Sequence, residues 1–172
     1  MNKEKNNNYI LYASIFTIIV ILDQITKFLT RKYLSLGESI RITPFFNLTH
    51  VQNSGASFGI LKDNNFVFII IYLIVAILLV YLFYKEGDNE NSKINKNKID
   101  IIRKITTQKY NTQKIALMIF GAGLIGNLID RLLFGQVTDF LDFIVWPVFN
   151  IADSALVVSV LIMCWMMLKK KE

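Results

Sequence analysis

The chain has 172 residues, 53% of them hydrophobic and 19% charged, with a mean hydropathy of +0.44. A water-soluble domain of this length carries fewer apolar residues and more charge, so that class is excluded at the outset. The formal net charge of +6 is unevenly placed, and a single cysteine, Cys164, rules out any disulfide within the chain.

Four stretches are free of charge or nearly so: 9–30, 66–84, 115–134 and 149–168, of 22, 19, 20 and 20 residues. At about 1.5 Å per residue each reaches roughly 28–33 Å, the thickness of a hydrocarbon core. The composition predicts an α-helical membrane protein with four transmembrane helices, folded as a single four-helix domain over 1–172. The first stretch follows Lys3 and Lys5, as a signal peptide would. It runs on past Asp23 with no small-x-small cleavage site, so a retained helix is expected.

Lys and Arg set the orientation. Two precede the first span, eight lie at or between the second and third, and three end the chain, which makes thirteen of nineteen. The 31–65 segment holds four and the 135–148 loop none. The positive-inside rule therefore places both termini and the loop 85–114 in the cytoplasm, and 31–65 and 135–148 outside. The long basic loop reads as a solvated segment with a short interfacial helix at 99–105. Charge beside a span explains it without a nucleic-acid partner. In the outer segment, "SIRIT" (39–43) and "FFNLTHV" (45–51) alternate polar and apolar residues around Pro44. They predict short β-strands, followed by a glycine-bearing turn at 53–59. Phe45, Phe46 and Phe58 are expected at the membrane surface.

Ionisable groups inside spans are costly, and each is a functional candidate. Asp23 and Lys27 are four apart on one face of the first helix. They form either a structural pair or one wall of a polar site. In the third span, "GAGLIGNLIDRLLF" (121–134) places Asn127, Asp130 and Arg131 at i, i+3 and i+4. Ala122 and Gly126 make a small-xxx-small pair that admits a close neighbour. Arg131, next in sequence, is expected to keep Asp130 ionised. Asp139 and Asp142 fall in the next outer loop, and the fourth span opens with Asn150 and Asp153. These polar groups all lie in the outer halves of their spans. They describe a pocket of carboxylates and amides just under the outer face.

Several chemistries lack their residues. The only histidine, His50, has no nucleophile elbow near it in sequence, and no HExxH zinc motif occurs. A Ser–Lys dyad of Ser154 and Lys27 is disfavoured by Asp23, which keeps Lys27 a paired cation. Carboxylate chemistry remains. Two close acids share one proton: the charged one activates water and the protonated one polarises a carbonyl. By helix depth alone Asp153 pairs with Asp130; by freedom to share a proton it pairs with Asp139.

Five blocks now stand in order: "DQITK" (23–27), "VQNSGASFGIL" (51–61), "GNLIDR" (126–131), "VTDF" (137–140) and "FNIAD" (149–153). In order and spacing they resemble the lipoprotein signal peptidase (signal peptidase II) family across nearly the whole chain. The resemblance implies a bacterial cytoplasmic (inner) membrane aspartyl endopeptidase that cuts prolipoproteins before a diacylglyceryl-modified cysteine. It implies four transmembrane helices, a small extracytoplasmic β-cradle between helices 1 and 2, an active site near the outer face, and no metal or cofactor. The expected partners are lipidated prolipoproteins and membrane lipids, not nucleic acid, and the expected state is a monomer. The resemblance assigns catalysis to Asp139 and Asp153. It gives supporting roles to Asp23, Lys27, Asn53, Gly55, Asn127, Asp130, Arg131, Asn150 and Ala152. The amides and Arg131 are expected to bind the unwound substrate backbone. Two departures stand out: the long 85–114 loop, and Ser57 in place of a second alanine. A proton-coupled carrier also buries Asp and Arg in spans, but four spans without an inverted repeat suit it poorly. A membrane scaffold has no need of these residues at one depth.

Overall fold

The computed structural model describes residues 2–55, 64–92 and 100–168. Among these residues are four helices: α1 (Asn2–Tyr33), α2 (Asn65–Ser92), α3 (Asp100–Phe134) and α4 (Ile151–Leu168). Three strands, β1 (Ser39–Thr43), β2 (Phe46–Asn53) and β3 (Val137–Asp142), form one antiparallel sheet in the order β1-β2-β3. The other three helices all pack on α3, and α4 also touches α1.

The large apolar side chains of α1 face outward. Ile18, Ile21, Leu22, Ile25 and Phe28 are all about half exposed, whereas Asp23 and Lys27 are fully buried. This reverses the pattern of a water-soluble protein and suits a lipid solvent, where polar groups must find partners inside. Among the described residues, two helical stretches are long and apolar enough to cross a membrane, Asn8–Tyr33 and Thr112–Phe134. Shorter apolar stretches lie in the other two helices, Asn65–Leu78 and Ile151–Met166.

Small residues let the helices meet closely. A Cβ on Gly123 would lie 2.6 Å from the Ala152 carbonyl oxygen, and one on Gly126 would lie 2.6 Å from Asp23 Oδ2. Helix α3 stops at Gly135, whose φ of +74° and N–H bond to the Arg131 carbonyl end it in the left-handed conformation. The chain can then turn straight into β3.

Two expectations need correction. The sheet is not confined to the segment between the first two helices, because its third strand is 137–142, within the expected outer loop. The run VTDF is short, with no flanking alternation to mark it as a strand; β2 supplies the template. The basic stretch 85–114 is also largely helical: α2 runs on to Ser92 and α3 starts at Asp100. Expected helical residues 100–105 are thus the first turns of α3, while Ile99 lies outside the described residues. So do 56–63, which include Ser57 and Phe58. Phe45 is 65% exposed, whereas Phe46 packs on Phe143 with ring centroids 4.9 Å apart.

Candidate active site

Helix α1 carries a polar stripe at i, i+4 and i+8: Asp23, Lys27 and Arg31. Lys27 Nζ lies 2.8 Å from Asp23 Oδ2 and 3.8 Å from Asp130 Oδ2, and donates to Asn127 Oδ1 at 3.0 Å. All three charged groups are fully buried. Asp23 also accepts the backbone N–H of Ala152 at 2.8 Å, which ties α1 to the first turn of α4. Ala152 and Gly126 leave room for this contact because neither has bulk.

Asn150 precedes α4 and caps it. Its Oδ1 accepts the Asp153 backbone N–H at 2.8 Å, and Asp153 Oδ2 accepts the Asn150 N–H at 3.3 Å. This is a capping box built from Asn and Asp. It fixes the Asp153 side chain at the mouth of the helix, which answers why a carboxylate stands in the first turn of an apolar span.

Asp139 is placed by the sheet. It pairs with Val51 across the β2–β3 ladder. Asn53 is two residues further along the same face of β2, so its amide reaches Asp139 diagonally. Asn53 Nδ2 donates to Asp139 Oδ2 at 3.0 Å, and Asn150 Nδ2 donates to Asp139 Oδ1 at 2.7 Å. Asn127 Nδ2 donates to Asp153 Oδ1 at 2.8 Å, and Asn127 Oδ1 accepts from Asn150 Nδ2 at 3.1 Å. A continuous chain of amides thus joins the two acids.

The amide directions are forced. Each side-chain oxygen faces a group that can only donate: Lys27 at Asn127, the Asp153 N–H at Asn150, and the Gly55 N–H at Asn53. Each NH₂ is therefore turned to a carboxylate or a neighbouring amide oxygen. The amides hold the two acids in the structure. The Asp139 carboxyl is pushed up from 3.8 to about 7, first by burial and then by the nearby charge of Asp153, against the bonds from Asn53 and Asn150.

Asp130 and Arg131 face different neighbours, which overturns the expected pairing. Asp130 is held by Lys27, by Arg31 Nη1 at 3.3 Å and by the Thr138 backbone N–H at 2.9 Å. Adjacent residues on a helix diverge by about 100°, so Arg131 turns away. Its Nη2 donates to the Gly55 carbonyl at 2.8 Å, its Nη1 reaches Asn65 Oδ1 at 3.3 Å, and its guanidinium lies 4.0 Å above the Phe68 ring. Arg131 Nε is buried without an acceptor among the described residues. Asp130 is thus committed to two cations and an amide, so it is a poor second acid for Asp153.

The remaining candidates fall away from the acids. The Ser154 hydroxyl bonds the Asn150 carbonyl, and His50 Nδ1 donates to the Leu34 carbonyl at 2.9 Å. Asp142 sits outside the buried cluster, where the Thr49 hydroxyl donates to it at 2.7 Å. Gln24, Arg31, Asn65 and Thr138 belong to the network and were missed in the sequence. Only Arg31 had a signal, as the next step of the α1 stripe.

The model of the family described as signal peptidase (SPase) II matches residues 15–169. A lipoprotein signal peptidase of Caldanaerobacter subterraneus subsp. tengcongensis is 40% identical over 158 residues, 91% of this chain and 94% of that protein. One of Moorella thermoacetica is 37% identical over 153 residues, 88% of each. One of Staphylococcus aureus is 34% identical over 179 residues, 97% of each. Among solved structures, a bacterial membrane enzyme determined by the in meso method at 2.3 Å resolution superposes with a TM-score of 0.77. It is 33% identical, over 94% of this chain and 90% of that one.

Proposed function

The chain belongs to the signal peptidase II family, and on that premise we propose that Asp139 and Asp153 are the catalytic pair with which it cleaves its substrate. As a member it is an aspartic-type hydrolase of the membrane that removes signal peptides from prolipoproteins. The finer reading is cleavage just before a diacylglyceryl-modified cysteine. The substrate enters sideways from the lipid, because both its signal helix and its acyl chains stay there.

One observation carries the assignment: three forced side-chain amides converge on two carboxylates at one end of the bundle. Asp139 holds a proton near neutrality, as an acid must to donate to a scissile carbonyl. The ionised partner takes a proton from water, which attacks that carbonyl carbon. As the resulting diol collapses and the C–N bond breaks, one of its hydroxyl protons returns to Asp139 and Asp153 passes its proton to the leaving amine, which resets the pair. Amides that hold both acids in place limit the rearrangement needed in the transition state. Unwinding the substrate exposes peptide groups that lipid cannot satisfy. Arg131, which holds the Gly55 carbonyl and whose Nε has no acceptor among the described residues, serves them in this reading.

All four helices span the bilayer in this reading, with both termini and the 85–114 stretch in the cytoplasm. The sheet and the acids lie at the outer face. The working state in this reading is a monomer. Purified protein incubated with a lipidated precursor in detergent is expected to release the signal peptide. Asp139→Asn and Asp153→Asn are each expected to reduce release by at least about 10³-fold while remaining folded. Normal turnover by either variant removes that residue from the pair.

A further inference from the structure

We propose that Arg31 is a positioning residue for catalysis, which locks the strand carrying Asp139 by gripping Thr138 and Asp130 together; this rests on Asp139 being catalytic. Thr138 directly precedes Asp139 and is 1% exposed. Its peptide and side chain are held from three sides. The backbone N–H donates to Asp130 Oδ2 at 2.9 Å, the carbonyl accepts from Asn150 Nδ2 at 3.4 Å, and the hydroxyl accepts from Arg31 Nη1 at 2.8 Å. The same Arg31 nitrogen lies 3.3 Å from Asp130 Oδ2. Arg31 therefore closes a ring of α1, α3 and β3 at the residue before the acid.

The guanidinium itself is braced, with its central carbon 4.2 Å from the centre of the Phe134 ring. Phe134 is the last residue of α3, just ahead of the turn into β3. The anchor thus fixes both the end of α3 and the start of β3. Near this point the β2–β3 ladder departs from regular register between Leu48 and Val51, opposite the Asp139 region. Bulged pairing holds a strand less firmly, and a polar anchor from α1 supplies what the ladder lacks. Arg31 touches neither carboxylate of the pair, so its effect runs through strand position.

The test uses the full-length protein in lipid nanodiscs with a lipidated precursor peptide, comparing Arg31→Met, Arg31→Lys, Thr138→Val and the Met/Val double variant. Arg31→Met is expected to lower kcat about tenfold or more with KM changed less than twofold, and to leave the pH midpoint of kcat/KM in place. Arg31→Lys regains part of kcat through the Asp130 ion pair. Thr138→Val, which keeps shape and loses only the hydroxyl, lowers kcat in the same direction. The double variant is no slower than Arg31→Met, because both changes break one contact. Unaltered kcat in Arg31→Met and Thr138→Val overturns the proposal, as does a fully additive double variant. If Arg31→Met does not fold, Thr138→Val decides the question alone. Asp139→Asn runs alongside: its activity would overturn the dyad reading, whereas an inert Asp139→Asn beside a fully active Arg31→Met overturns the positioning role only.

Discussion

Lys27→Met is the most informative single change, because it touches stability and catalysis by separable routes. Lys27 Nζ lies 2.8 Å from one buried carboxylate and 3.8 Å from another. At an effective dielectric constant of about 20 these contacts are worth ~6 and ~4 kcal/mol in gross attraction. Much of that is offset by the cost of taking the ammonium out of water. Methionine fills the same volume but leaves Asp23 buried with no cation. Asp130 keeps Arg31, so one orphaned charge is created, not two. Breaking a buried pair in this way costs about 3–5 kcal/mol. For a chain of this size that lowers Tm by roughly 6–20 °C, read by thermal unfolding in detergent. Adding Asp23→Asn removes the orphan and keeps an acceptor for the Ala152 N–H. The double variant is expected to recover about 2–3 kcal/mol relative to the sum of the single changes. Catalysis responds separately. Without Lys27 only the Asn150 amide, 3.1 Å away, still holds Asn127 Oδ1 away from Asp153, and a flipped amide presents oxygen to a carboxylate. Cleavage is expected to fall about 100-fold even well below Tm. A single variant with wild-type Tm, or a double variant whose losses simply add, would refute the claim that Lys27 neutralises Asp23.

Other outcomes follow from the same geometry. Cleavage kcat/KM should fall as pH rises through about 7, approaching tenfold per unit, because Asp139 holds its proton up to that point and its loss leaves two ionised acids; a flat profile contradicts this. In Asp153→Asn burial still raises the Asp139 carboxyl but the neighbouring charge that adds to it is gone, so ¹³C NMR should show it titrating lower than in the wild type. Asn53→Ala removes one of the two amides on Asp139 and should reduce kcat while leaving the α1–α3–α4 packing, and so the unfolding free energy, within about 1 kcal/mol of wild type. Gly123→Ala should destabilise by about 1–3 kcal/mol, since its Cβ would meet the Ala152 carbonyl at 2.6 Å and Leu156 Cγ at 2.9 Å. Gly121→Ala, whose Cβ would meet only the Phe16 ring at 3.6 Å, should be tolerated in the same unfolding assay.

Much of this protein is legible in its sequence because lipid imposes simple rules on local composition. Apolar runs mark the helices, since a backbone in hydrocarbon must satisfy itself. Asp23, Lys27, Asn127 and Asp153 stand out because polar groups there are costly and need a reason. Period-two alternation marks the strand 39–43 and, as 45–51, most of the strand 46–53. What the sequence could not decide is which polar group faces which. Asp130 and Arg131 are neighbours in the chain, yet they turn to different helices, and Asp130 finds Arg31 and Lys27 instead. Asp139 meets Asn53 only because β2 and β3 pair Val51 with Asp139, and that register joins segments 86 residues apart. Helix periodicity carries angle and depth along one element, and those are fixed by rise and turn per residue. Partners across elements depend on how helices and strands dock, a choice made by packing that no local pattern encodes.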